Sequence, residues 1–207
     1  MKPEEIERLK SMWEIENGLL KKGYKVIAGV DEAGRGPLAA PVYAAAVVLP
    51  PDAYIDGLND SKKISEKKRE KLFDEICNTA LCYCVATASV REIDEYNIRN
   101  ATYMAMNRAI EALKIKPDYV LVDGDCIKEC KYPYECIVKG DSKSISIAAA
   151  SILAKVSRDR EMAELSKKYP QYGFEKHKGY GTKAHIAALK EYGPCEIHRK
   201  TFIKKFV

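Results

Sequence analysis

The chain has 207 residues, enough for one buried core, since domains of this length hide roughly 70% of the surface that their unfolded chains expose. Thirty-five Lys and Arg against 30 Asp and Glu give a formal charge of +5, which permits a polyanionic partner without demanding one. The polar start MKPEEIERLK does not read as a signal peptide, and no apolar run approaches the roughly 18 residues of a membrane span, so a cytoplasmic protein is expected.

Ile6, Leu9, Met12, Trp13, Ile15, Leu19 and Leu20 recur with helical spacing, and Gly23 stands where a C-terminal cap is expected. Residues 1–23 are therefore expected as one helix packed on the domain formed by residues 24–207; a docking helix for a partner is the alternative. Tyr24 to Val30 and Val42 to Leu49 read as strands, and a helix capped near Ser65 carries Leu72, Phe73, Ile76 and Ala80 on its apolar side. Leu81 to Val90 is a third strand, in which Cys82 and Cys84 alternate as small core residues. Asn97 opens a longer helix that Pro117 ends. Tyr119 to Val122 and Glu135 to Val138 are the fourth and fifth strands, Ser144 to Lys168 is a helix with a buried face, and Thr182 to Tyr192 is a last short one. Close connections early and helices between strands later predict a mixed sheet. The seven cysteines, an odd number, read as free thiols; Cys126, Cys130 and Cys136 come nearest to a zinc pattern but lack a tight C-x2-C knuckle.

The acids are placed unevenly. Val26 to Val30 runs straight into Asp31-Glu32, Tyr119 to Val122 into Asp123, and Cys136 to Val138 through Lys139-Gly140 into Asp141. In open α/β sheets ligands collect outside the carboxyl ends of strands, so these acids converge if their three strands are neighbours. Carboxylates held within several ångströms repel one another, and without counter-charge some take up protons at neutral pH. A cation relieves this, and oxygen-only ligands favour Mg2+ or Mn2+ over zinc. Two divalent ions would balance a cluster of about −4 charge and, roughly 3.5 to 4 Å apart, could clamp the attacking and leaving oxygens of a phosphodiester. Taken singly, each acid is more simply a turn or cap residue, Asp141 above all.

From Gly29 to Pro37 the sequence GVDEAGRGP resembles the bacterial and archaeal ribonuclease HII family. The likeness continues at Leu58 to Lys62, Val122 to Gly124, Lys139 to Ser142, Ala148 to Lys155 and Lys176 to Thr182. It spans roughly Tyr24 to Phe202. The resemblance implies a ribonuclease H-like fold, a mixed five-stranded sheet flanked by helices with a helical C-terminal part. It implies an endoribonuclease that cuts the RNA strand of RNA/DNA hybrids, and single ribonucleotides embedded in duplex DNA, by a two-metal mechanism leaving 5′-phosphate and 3′-hydroxyl ends. By position the metal-binding acids are Asp31, Glu32, Asp123 and Asp141, for Mn2+ or Mg2+. Asp31 is expected to be shared by both ions, with Asp141 on the water side and Glu32 and Asp123 on the leaving-group side. The resemblance also implies a ribose-reading device of Gly34, Arg35, Gly36 and Tyr180: glycines admit the sugar to the backbone, and the tyrosine packs on the next deoxyribose. Lys62, Lys143 and Lys178 lie in the motif loops and are candidate phosphate contacts.

His177, His185 and His198 read as structural, since no paired Ser or Cys nucleophile accompanies them. Ala40 stands where the family commonly has glycine, a departure behind the loop. Phe202 and Phe206 in the tail Lys200 to Phe206 could dock on a sliding clamp, although plain packing of the tail is the simpler reading. A monomer is the default. Two rivals remain: a DNA nuclease on the same fold, which would lack the ribose-reading residues, and a silent hybrid-binding module, against which the intact acids argue.

Overall fold

The computed structural model describes residues 1–207. Short apolar runs rich in Val, Ile and Ala make β1 (Ile27–Ala33), β2 (Val42–Val48), β3 (Cys82–Ala88), β4 (Tyr119–Asp123) and β5 (Tyr134–Ile137). They form one five-stranded sheet in the order β3-β2-β1-β4-β5. β2 pairs antiparallel with both β1 and β3, whereas β4 runs parallel to both β1 and β5, so the sheet is mixed as the connections predict.

The helices are α1 (Pro3–Met12), α2 (Glu14–Lys21), α3 (Glu66–Thr79), α4 (Val90–Glu111), α5 (Ile145–Lys168), α6 (Phe174–His177), α7 (Lys183–Tyr192) and α8 (Lys200–Ile203). α5 starts where the Ser144 side chain accepts from Ile147 N–H at 3.2 Å. Its run of Ala148, Ala149, Ala150, Ile152, Leu153 and Ala154 is wholly buried, and small residues let the helix lie close on β1 and β2. Leu9, Met12 and Trp13 from the N-terminal segment and Leu72 and Ile76 from α3 complete that core. On the other face, Ile93, Ala101, Ala105, Met106 and Ile110 of α4 pack against Val30, Ala44, Ala46 and Val122. Each buried aliphatic side chain of this kind stabilises the fold by about 1.5–3 kcal/mol. A third core joins Leu38 and Ala39 to Met162, Tyr172, Phe174, Leu189 and Ile203, with Phe202 and Phe206 packed on it. The tail aromatics therefore have packing partners within the chain. No helix is long and apolar enough to cross a membrane.

Three boundaries differ from the sequence reading. The N-terminal helix is broken at Trp13 into α1 and α2, and the buried Trp13 indole N–H donates to the Ala53 carbonyl at 2.9 Å. The third strand stops at Ala88, because Ser89 and Glu92 form a reciprocal cap that starts α4 at Val90. Asn97 does open a helical segment: it breaks α4 at φ 66°, and its side chain accepts from Arg99 N–H at 3.0 Å and Asn100 N–H at 3.1 Å. Finally, β1 does not end at Val30. Its pairing with β4 stops there, while its pairing with β2 continues through Asp31, Glu32 and Ala33.

Candidate active site

That unequal pairing opens a notch in the sheet. Asp31 and Glu32 stand within β1, opposite Ala45 and Ala44 of β2, with no β4 partner on their other side. Asp123 is the last residue of the neighbouring strand, and Asp141 lies in a short 3-10 turn, Gly140–Ser142, that follows β5. The turn is tied to β4, since Gly140 N–H donates to Asp123 Oδ1 at 2.6 Å. Gly140 leaves little room for more, because a Cβ there would lie 2.6 Å from Ile147 Cδ1.

The structure brings the four predicted acids into one charged neighbourhood. Burial raises the pKa of Asp31 well above the usual carboxylate value, and the charges of Glu32 and Asp123 add to this. Burial raises Glu32 too, Arg35 opposing and Asp123 reinforcing, and Asp141 is raised by burial and then by Asp60 and Asp123. Asp123 is thus felt by all three others. No three of the donors converge on a single point. The donor set fits a hard divalent cation: it is all oxygen, partly desolvated and short of positive charge, and no imidazole or thiolate belongs to it.

Lys62 stands beside the acids, its Nζ 4.0 Å from Asp141 Oδ2. Burial lowers its pKa, but Asp31, Asp141, Asp60 and Asp123 outweigh burial and keep the ammonium more firmly protonated than usual. Lys143 and Lys178 are held elsewhere. Lys143 Nζ donates to the Val138 carbonyl at 2.9 Å, and Lys178 Nζ lies 3.7 Å from Glu66 on α3.

The predicted ribose-reading residues line one groove of about 260 Å3, together with Glu32, Ser61, Lys62, Ser151, Lys155 and Arg158. Tyr180 is 46% exposed there, and a Cβ added to Gly36 would meet its ring at 3.5 Å. Arg35 Nη1 stands 3.5 Å from Glu32 Oε1, linking the loop to the acids.

Four residues with roles here escaped the sequence reading. The charge of Asp60 raises Asp141, and its carboxylate accepts from Lys62 N–H at 2.9 Å; its motif is legible in the sequence, but its place beside Asp141 is not. Ser151 donates to Ser61 Oγ at 2.9 Å, and its hydroxyl dipole opposes the rise in the Asp31 pKa. Arg158 and Arg199 are almost fully buried. Arg199 donates to the carbonyls of Gly34 at 2.6 Å, Arg35 at 2.9 Å and Ala40 at 2.9 Å, while Arg158 Nη2 donates to the Lys178 carbonyl at 3.0 Å. No periodicity marks a solitary arginine as buried, so only the packing reveals them. Ala40 holds φ 73°, a left-handed backbone that costs an alanine roughly 1–2 kcal/mol, which explains why glycine suits this place.

All seven cysteines are unpaired. Cys126, Cys130 and Cys136 pack against the α4 core, whereas Cys195 packs on the C-terminal one.

Comparison with known proteins agrees across the chain. A family model described as Ribonuclease HII matches residues 28–205. The Ribonuclease HII of Caldicellulosiruptor saccharolyticus is 58% identical over 195 residues, covering 94% of this chain and 95% of that one. Among solved structures, the ribonuclease H2 of Pyrococcus horikoshii OT3 is similar with a TM-score of 0.75 at 30% identity, over 88% of this chain and 97% of that one. The RNase HII of Archaeoglobus fulgidus, solved in a complex with PCNA, is similar at a TM-score of 0.71 and 29% identity, over 84% and 94% of the two chains. These likenesses identify the sheet and its helices as a ribonuclease H-like fold.

Proposed function

The chain belongs to the ribonuclease HII family and is a ribonuclease H, a hydrolase acting on RNA/DNA hybrids; from that footing we propose that Asp31, Glu32, Asp123 and Asp141 hold two divalent ions at the β1–β4 notch. The observation that carries this reading is the notch itself: Asp31 and Glu32 stand on β1 beyond its pairing with β4, Asp123 ends β4, and Gly140 N–H ties Asp123 to the turn that holds Asp141. Bound Mg2+ or Mn2+ would supply Lewis-acid polarisation of a phosphodiester and balance its growing charge. The chain's own residues do the rest. Asp123 and Asp141 are spaced by the Gly140 N–H, and Asp60 and Lys62 flank them to steady the water-side edge of the cluster. Lys62 meets the incoming phosphate, and Arg35 is divided between Glu32 and the substrate backbone. No protein nucleophile is needed, and hydrolysis leaves 5′-phosphate and 3′-hydroxyl ends.

The substrate includes single ribonucleotides within duplex DNA. Gly34 to Gly36 offer backbone groups to the 2′-hydroxyl, and the exposed Tyr180 ring beside Gly36 packs on the deoxyribose that follows. The test is cleavage of three duplexes, carrying one ribonucleotide, an RNA strand, or DNA alone. Wild type should cut the first two in Mg2+ or Mn2+ and none in chelator. Asp123→Asn should lose turnover by at least about a thousandfold while binding hybrid nearly as well. Tyr180→Ala should lower preference for the single ribonucleotide. Cleavage of the all-DNA duplex, or near-wild-type turnover by Asp123→Asn, would refute the reading.

A further inference from the structure

All three histidines of the chain, His177, His185 and His198, gather beneath the loop that carries Tyr180. Backbone amides decide which nitrogen of each ring bears its proton. Cys195 N–H donates to His198 Nδ1 at 2.9 Å, a closer contact than the 3.3 Å from Nδ1 to the Cys195 carbonyl. An amide only donates, so Nδ1 is bare and the neutral His198 ring is protonated on Nε2. That nitrogen lies 3.0 Å from His185 Nε2, which must accept. The His185 proton is therefore on Nδ1, where it donates to the Tyr180 carbonyl at 2.9 Å, beside Thr182 N–H at 2.8 Å. Likewise Gly179 N–H donates to His177 Nδ1 at 3.2 Å, so His177 Nε2–H donates to the Tyr172 carbonyl at 2.8 Å. A second proton on His185 or His198 would set two N–H groups against each other in a buried place.

The residue after His198 is Arg199, whose guanidinium holds the Gly34 and Arg35 carbonyls. We propose that His198 and Arg199 are one support for the ribose-reading device: Arg199 fixes the Gly34–Gly36 backbone, and His198, acting through His185, fixes Tyr180. They are positioning residues and touch no substrate. The inference rests on the reading of Gly34 to Gly36 and Tyr180 given under Proposed function.

Two measurements test it. Long-range proton–nitrogen spectra of the whole chain at about pH 7 should show two neutral rings in the relay, His185 as the Nδ1–H form and His198 as the Nε2–H form. A charged ring or the other tautomer at His185 or His198 overturns the relay. Second, kcat/KM is compared on duplex DNA with one ribonucleotide and on a uniform hybrid. His185→Leu and His198→Leu should lower the ratio about tenfold, as a displaced contact does. His185→Asn, which keeps an N–H at the Nδ1 place, and His198→Gln, which keeps one at Nε2, should restore most of it. If a leucine variant fails to fold, His185→Gln, whose amide reaches the wrong place, is used instead. An unchanged ratio in a folded leucine variant, or equal losses on both substrates that follow Tm, overturns the positioning role. Tyr180→Ala separates the two ideas. If it changes the ratio while the histidine variants do not, the relay alone fails; if it leaves the ratio unchanged, the Tyr180 reading fails and the support role with it.

Discussion

Gly29 of β1 lies so close to the start of α5 that a Cβ placed on it would be 2.1 Å from the Ser146 carbonyl carbon and 2.4 Å from Ile147 N. Both are backbone atoms and neither can rotate away. The contact seats α5 on the same strand face as Asp31, two residues along, so helix and acid share one support.

Gly29→Ala should therefore cost about 3 kcal/mol or more, at the upper end of overpacking penalties, because strand and helix must separate. Urea unfolding measures it. A midpoint within error of wild type would show that the α5–β1 contact is looser than described.

The two glycines of the loop should answer differently to the same change. Gly34 has φ +96°, and an added Cβ would meet Arg158 Nε at 2.2 Å, whereas at Gly36 the nearest atom is Tyr180 Cε1 at 3.5 Å. Gly34→Ala should lower Tm by several degrees, from a cost of about 1–3 kcal/mol. Gly36→Ala should leave Tm within about 2 °C but, if the proposed ribose reading holds, raise KM for the single-ribonucleotide duplex, since its methyl enters the space beside Tyr180. Equal Tm losses in both would sink the distinction.

Asp31 is 4% exposed among like charges, so its neutral isostere relieves strain. Asp31→Asn keeps an acceptor oxygen for Glu32 N–H, and in chelator it should raise Tm by about 2–4 °C, the size of a 1 kcal/mol gain in a chain of this length. Adding Mn2+ should raise wild-type Tm and leave the variant nearly unmoved, with turnover lost. Differential scanning fluorimetry with and without Mn2+ checks both. A wild type indifferent to Mn2+ would contradict the four-acid site.

His198 is held down to about 4, first by burial and then by neighbouring His185. The ordinary value is about 6.5, so the unfolded chain takes up this proton first. The stabilisation from a neutral His198 is whole above about pH 6.5 and erodes as pH falls toward about 4, by at most about 1.4 kcal/mol per pH unit. Its ring is surrounded by His185, Cys195 and Tyr172, with no carboxylate among its hydrogen-bond partners to hold a charged form. Unfolding of wild type and His198→Gln at about pH 7 and about pH 5 should show the larger loss in wild type. Parallel losses would place the acid sensitivity elsewhere.

Much of the site was legible because it is written in local signals. Strands ending in Asp123 and just before Asp141, the Gly34 to Gly36 loop and the Ser144 cap are each visible within a few residues, since strand alternation and capping are short-range effects. The mixed sheet followed from the lengths of the connections. Boundaries were harder. The sequence around Val30 shows an apolar run giving way to acids, and nothing local shows that β2 goes on pairing past the point where β4 stops.

The amino-acid order thus determined which donors the chain carries and where they enter: acids at strand ends and a glycine-rich loop directly after the first of them. Tertiary structure alone decided what holds that chemistry in place. Arg199 reaches Gly34 across 165 residues, and Glu16 in the N-terminal segment accepts from Ser144 and Ser146 across 128 and 130. Such partners are chosen by packing, where a buried charge or hydroxyl must find whichever groups the fold leaves unpaired. Sequence spacing carries no trace of that choice.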